Sequence, residues 1–353
     1  MLIDYLHHRP ALAAPFFCDP TAAAIGRTVA GPGLELRAYA TLRADGEWVR
    51  IGARAFFAER ATAHIADGLL PATVGDDVTV GRYALVHACT LEDGVVLGDA
   101  AVVMDGAVVG ARALVAPGSL VPPRKRLPGG WLYAGNPATP MRAIGADELA
   151  AAAMAIRTGT ASALVRADGL PPLDMDAFLP GSAGGGALHA IAGRAPRIAR
   201  AYVAPTALVA GDVDVADDVG IWFGCALAAG DGRIVVGPRS NVQDNSILVT
   251  DAARGELRLG AGVTVGHNVR IGAATIGDDA LIGMGSELAD GVVVEAGACV
   301  GARAQVEPGT VVKTGWIWAG RPATAFRELK PDERTWFARG RDIYVGYAAA
   351  YRG

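Results

Sequence analysis

A six-residue period, kept without a break over long stretches, is the feature that most limits what this chain folds into. In the C-terminal half Ile276, Ile282, Leu288, Val294, Val300, Val306 and Val312 follow one another six apart. Val209, Val215, Ile221 and Leu227 precede them at the same interval, and Leu91, Leu97, Val103, Val109, Val115 and Val121 repeat it in the N-terminal half. Six fits neither the period of about 3.6 of a helix nor the period of about 2 of an alternating strand. It is the signature of a hexapeptide β-helix, in which each unit is a short strand and a turn and three units make one coil. The aliphatic residues stack inside the prism. One coil cannot bury its own face, so stability comes from stacked neighbours. An ordinary β-sandwich would instead show two-residue alternation and varied turn spacing.

The two halves copy each other. Val74, Val80, Val86 and Leu91 step by 6, 6 and 5, and so do Leu259, Val265, Ile271 and Ile276, at a constant offset of 185 residues. A shared irregular step of five marks a tandem duplication. Each half closes on a similar segment, PGGWLYAGNPATPMRAI at 128–144 and KTGWIWAGRPATAFREL at 313–329. A helix is expected after each: DELAAAAMAI at 147–156 is Ala-rich, and 331–351 opens on a Pro-led acidic turn. The β-helices are expected at about 15–145 and 196–325, within domains at 1–157 and 196–353. A Gly/Pro-rich connector, 158–195, with GLPPLD and PGSAGGGA, separates them.

Composition agrees with a solenoid. Of 353 residues, 52% are apolar, 19% charged and 6% aromatic, with 47 glycines. That is enough to bury a large core through a backbone that turns often. A net charge of −4, with no Lys/Arg block, argues against nucleic acid as a partner. No apolar run is long enough to span a bilayer, and the first twenty residues lack the basic start and long apolar core of a signal peptide. The four cysteines lie far apart with no CxxC, and Cys89 and Cys299 read as small core residues. A cytoplasmic location is expected.

The segments APTALVAGDV, VGPRSNVQDNSIL, VTVGHNVRIG, TIGDDALIGMGS and WAGRPA, with LRADGEWVRIG, VTVGRYALVHACTL and YAGNPA in the first half, resemble the γ-class carbonic anhydrases and their hexapeptide-repeat relatives. The resemblance covers nearly the whole chain outside the connector and the first fifteen or so residues. It implies left-handed parallel β-helices, so the expected fold class is an all-β solenoid of two tandem left-handed β-helices, each followed by an α-helix. It also implies a ring of three β-helices, completed as a homo-oligomer or with a different protein. A zinc ion between neighbours would be held by three histidines, two from one β-helix and one from the next.

These positions are filled unevenly. The first ligand position holds His64 in the N-terminal half and Val249 in the C-terminal half; the second holds Arg82 and His267; the third holds His87 and Gly272. Neither half keeps a triad, yet His64 and His87 with His267 make one complete set. Three imidazoles and an open fourth position are what catalytic zinc requires, although iron or cobalt also accepts such ligands. Asn241, Gln243 and Asp244 stand in the half that keeps His267, where the first half has Phe56, Ala58 and Glu59. Conversely the family's R-G-D turn survives as Arg43-Ala44-Asp45, whereas the second half reads Ala229-Gly230-Asp231. Division of roles between the copies accounts for both patterns. Arg82 is expected to fill the emptied pocket in its own domain or to pair with Glu59.

The resemblance implies reversible hydration of CO2 to bicarbonate by a zinc-bound hydroxide, with His64, His87 and His267 on the metal, Gln243 orienting the hydroxide, and Asp244, Arg43 and Asp45 as further site residues. The proton shuttle is not legible; Glu59 is one acidic group that would serve. Two other functions fit the same fold. One is a non-catalytic scaffold or assembly subunit, separated from the enzyme by metal content. The other is an acyl-CoA-dependent transferase, which would bind acetyl-CoA but for which no long acceptor-binding loop accompanies any histidine.

Overall fold

Strands of two or three residues ended by tight turns are what the hexapeptides build. The structure, a computed structural model, describes residues 1–159 and 187–353. Contacts divide the chain into two compact units, Met1–Leu173 and Asp174–Gly353. In both, strands of successive coils pair in parallel and in register: Val80 lies opposite Leu97, and Val265 opposite Ile282. Every aliphatic residue of the six-residue series is buried, none more than 4% exposed. The period therefore marks the core column by column.

In the first unit the eleven-residue strand Thr41–Ile51 continues round a corner of the prism. Its first residues pair with Thr62–His64 and its last with Ala72–Val74, joining two faces into one sheet. The third face is an eight-stranded sheet. The second unit keeps its faces apart as sheets of seven, seven and eight strands. Its first described strand, Ala187–His189, pairs with Leu208–Ala210, so coil formation starts before residue 196. Most of the segment read as connector lies outside the described residues.

Each unit ends in an antiparallel hairpin, Trp131–Ala134 with Thr139–Ala143 and Trp316–Gly320 with Ala323–Glu328. A helix follows each. Helix α1 (Ala146–Arg157) buries Leu149, Ala152 and Ile156 against Phe56, Ala58, Val96 and Leu114. Helix α2 (Pro331–Arg352) starts with Pro in its first turn and packs on Tyr202–Val203, Gly220–Ile221 and Asn241–Val242. Its Tyr344, Tyr347 and Tyr351 meet the buried Trp222 ring edge-on, at centroid distances of 5.4, 6.2 and 5.5 Å. Among the described residues no helix is long and apolar enough to cross a membrane. The cysteines are unbridged. Burial pushes the Cys299 thiol up to about 12 and raises that of Cys89 further, consistent with packing rather than reactive roles.

Candidate metal centre

Parallel register turns sequence spacing into columns. In the first unit Ile3, Ile25, Arg43, His64 and His87 lie opposite one another on successive coils. The step of 23 residues from His64 to His87 is one coil plus the turn at Ala66–Leu70. The two imidazoles are thereby brought edge to face, centroids 5.5 Å apart and ring planes inclined at 68°. Both are buried.

Each ring is held at Nδ1. His64 Nδ1 donates to the Arg43 carbonyl at 2.8 Å, and its Nε2 accepts from the Arg43 guanidinium at 3.0 Å. That guanidinium pairs with Asp45, Nε to Oδ2 2.8 Å, and both side chains are fully buried. Tyr5 is buried close by. Burial, then the charges of Asp45 and Asp67, push its hydroxyl up to about 12. His87 Nδ1 donates to Asp105 Oδ1 at 2.6 Å.

The second unit carries His267, fully buried in the turn between Thr264–Val265 and Arg270–Ile271. Its Nδ1 lies 3.1 Å from Asp244 Oδ2, while Asp244 Oδ1 accepts the Phe223 N–H at 3.1 Å. Its Nε2 lies 3.3 Å from the Tyr344 hydroxyl on α2. Gln243 donates through Nε2 to Asn241 Oδ1, and Asn241 donates in turn to Thr264 Oγ1, each at 3.1 Å. The carboxamide is thus fixed by its neighbour.

These contacts bear on whether the residues suit a metal. Zinc takes the lone pair of a neutral imidazole, and a partner at the other nitrogen selects the tautomer that presents it. In His64 and His87 Nδ1 donates to an oxygen of its own unit, leaving Nε2 as the lone-pair nitrogen, and in His267 Nδ1 faces the Asp244 carboxylate at 3.1 Å. The donor set fits zinc.

The emptied positions are filled differently. Arg82 holds Asp99 Oδ2 through Nε at 3.1 Å and Nη2 at 2.9 Å, a partner the sequence reading did not name. Asp99 sits one coil above Arg82 and also accepts its backbone N–H, so the two contacts reinforce each other. The R-G-D alignment also shifts. Register sets Arg43 opposite His64 and Ala228 opposite Val249, so the counterpart of Arg43 is Ala228, one residue before the sequence match. Asp231, the aspartate of that match, accepts the Ala252 N–H instead.

Two contacts were not anticipated from sequence. Asp105 lies one coil beyond His87, a relation that the repeat length encodes. Tyr344 is 77 residues from His267, and no local spacing announces it.

The chain is 38% identical over 152 residues to γ carbonic anhydrase 2, mitochondrial, of Arabidopsis thaliana, a match covering 42% of this chain and 55% of that protein. It is 36% identical over 161 residues to a carbonic anhydrase of Geobacillus kaustophilus, covering 45% of this chain and 88% of that one. A crystal structure of a hexapeptide transferase family protein from Anaplasma phagocytophilum has 31% identity and a TM-score of 0.44, covering 47% of this chain and 98% of that chain. The chain spans little more than half the length of the Arabidopsis relative. Comparison with models of known families gives no match. The chain belongs to the γ-carbonic-anhydrase-like hexapeptide-repeat family.

Proposed function

We propose that the protein is a γ-class carbonic anhydrase in which the duplicated halves share one metal site, with His64 and His87 supplied by an N-terminal unit and His267 by a C-terminal unit. The observation that carries this reading is the complementary loss: Val249 and Gly272 replace two ligands in one half, and Arg82 replaces the third in the other. The Nδ1 contacts of the three retained histidines support it. So do the names of relatives at 36–38% identity. The metal, taken as zinc, would lower the pKa of a coordinated water toward about 7, as carbonic anhydrases are known to do.

The chain's own residues supply placement. Asp244 orients His267, and Gln243, clamped by Asn241, presents a fixed carboxamide next to it in the fold. Arg43 braces His64 through its carbonyl. Its guanidinium, already paired with Asp45, would have to release His64 Nε2 for that nitrogen to hold a metal. CO2 and bicarbonate are the substrates.

Metal analysis tests the reading. Purified protein is expected to bind one zinc per chain, and His64→Ala and His267→Ala are each expected to abolish it. Full retention in His267→Ala would sink the shared site. The loss of ligands in both halves, with Arg82, Val249 and Gly272 at three of the six positions, favours a second reading, a scaffold that has shed its metal. Absence of metal together with absence of CO2 hydration would select it.

A further inference from the structure

Turn aspartates in both β-helices have a recurring task. Each reaches one coil back and accepts a backbone N–H: Asp76 from Ala53 at 2.8 Å, Asp93 from Asp76 at 2.9 Å, Asp278 from Ala261 at 2.8 Å. Asp105 departs from this. Its Oδ1 accepts from the imidazole of His87, and the backbone N–H beneath it, that of Ala88, donates to the His64 carbonyl at 2.8 Å.

The duplication supplies the internal comparison. Asp290 occupies the same place in the second unit, offset by 185 residues, above Gly272. The backbone turns match: Gly106 donates to the Ala88 carbonyl, and Gly291 to the Ala273 carbonyl. Asp290, however, behaves as the other turn aspartates do, accepting the Ala273 N–H at 2.8 Å. A Cβ on Gly272 would lie 2.2 Å from Asp290 Oδ1. Gly272, having no Cβ, leaves that carboxylate position open. At the matching place residue 87 carries an imidazole, and its ring Nδ1 is the donor that Asp105 meets.

We propose that Asp105 is the positioning residue of His87, holding the ring as its Nδ1–H tautomer so that Nε2 is presented to a metal. The inference rests on the metal reading above for its purpose, but not for its geometry. Loss of such an outer carboxylate weakens metal binding about 10–100-fold.

Two measurements on the full chain test it. Nitrogen-15 spectra of labelled histidine in zinc-free protein at pH 8 are expected to show His87 as the Nδ1–H tautomer. Asp105→Ala should lose that preference, and Asp105→Asn, whose amide oxygen still accepts, should keep it. Chelator competition should give Asp105→Ala a zinc affinity about 10–100-fold weaker, with Asp105→Asn and the control Asp290→Ala near wild type. Should Asp105→Ala not fold, Asp105→Leu provides the same contrast. Wild-type protein that binds no zinc would remove the metal reading and leave the tautomer comparison as the test of Asp105. An Nε2–H tautomer in wild type, or an unchanged tautomer in Asp105→Ala, would overturn the proposal.

Discussion

Arg43 and Asp45 are charges with no access to solvent, 2.8 Å apart, behind an imidazole that the arginine touches through both its carbonyl and its guanidinium. Breaking such a buried pair by removing one partner costs about 3–5 kcal/mol, since the remaining charge keeps its desolvation penalty. Asp45→Ala is therefore expected to destabilise the protein by about that much in denaturant titration. Adding Arg43→Met should cost less than the two single changes summed, which a double-mutant cycle reads. The motif was legible at this scale because Arg-x-Asp is two alternate residues on one strand face. The contact of the guanidinium with His64 was not, because it depends on which rotamer the stacked coil leaves room for.

Coils stack so closely that some positions admit no side chain. A Cβ on Gly98 would lie 2.4 Å from the backbone nitrogen of Pro117, and backbone cannot yield as a flexible side chain does. Gly98→Ala is expected to cost about 1–3 kcal/mol by overpacking, seen as a lower denaturant midpoint. Gly346 on α2 has nothing within 4 Å of the same atom, and Gly346→Ala should stabilise by about 0.5–1 kcal/mol. The entry of α2 also has a pH signature. A hydrogen bond from Arg327 holds the Glu333 carboxyl down at about 2 against an ordinary 4.5. The contact is at full strength above about 4.5 and is lost as pH falls through about 2. Far-ultraviolet circular dichroism should show α2 loosening across that window in wild type but not in Glu333→Gln, in which no carboxylate remains to titrate.

The duplication makes metal content a property of the pair of units. If both copies were independent sites, a chain would bind two zincs and a single histidine variant would keep one. The expected result is one per chain, falling to none when either half is altered. Mixing His64→Ala chains with His267→Ala chains then separates two arrangements. Recovery of zinc sites means that units pair between chains, and no recovery means that they pair within one. About thirty residues separate α1 from the strand Ala187–His189, a length compatible with both.

The period of six, the offset of 185 and the buried aliphatic columns were all present in the sequence, because a solenoid repeats one coil and its core positions follow from counting. The ligand positions were readable for the same reason: residues in one column share a register whatever their type. Tertiary structure decided what the turn and surface groups do with that register. Asp105 and Asp290 occupy the same repeat position, yet one accepts from an imidazole and the other from a backbone amide; the residue beneath is His87 in one case and Gly272 in the other. Arg82 meets Asp99, one coil above it, through two guanidinium nitrogens on one carboxylate oxygen. Tyr344 reached His267 only because α2 lays its aromatic residues against Trp222, a choice made by packing shape, which periodicity does not encode.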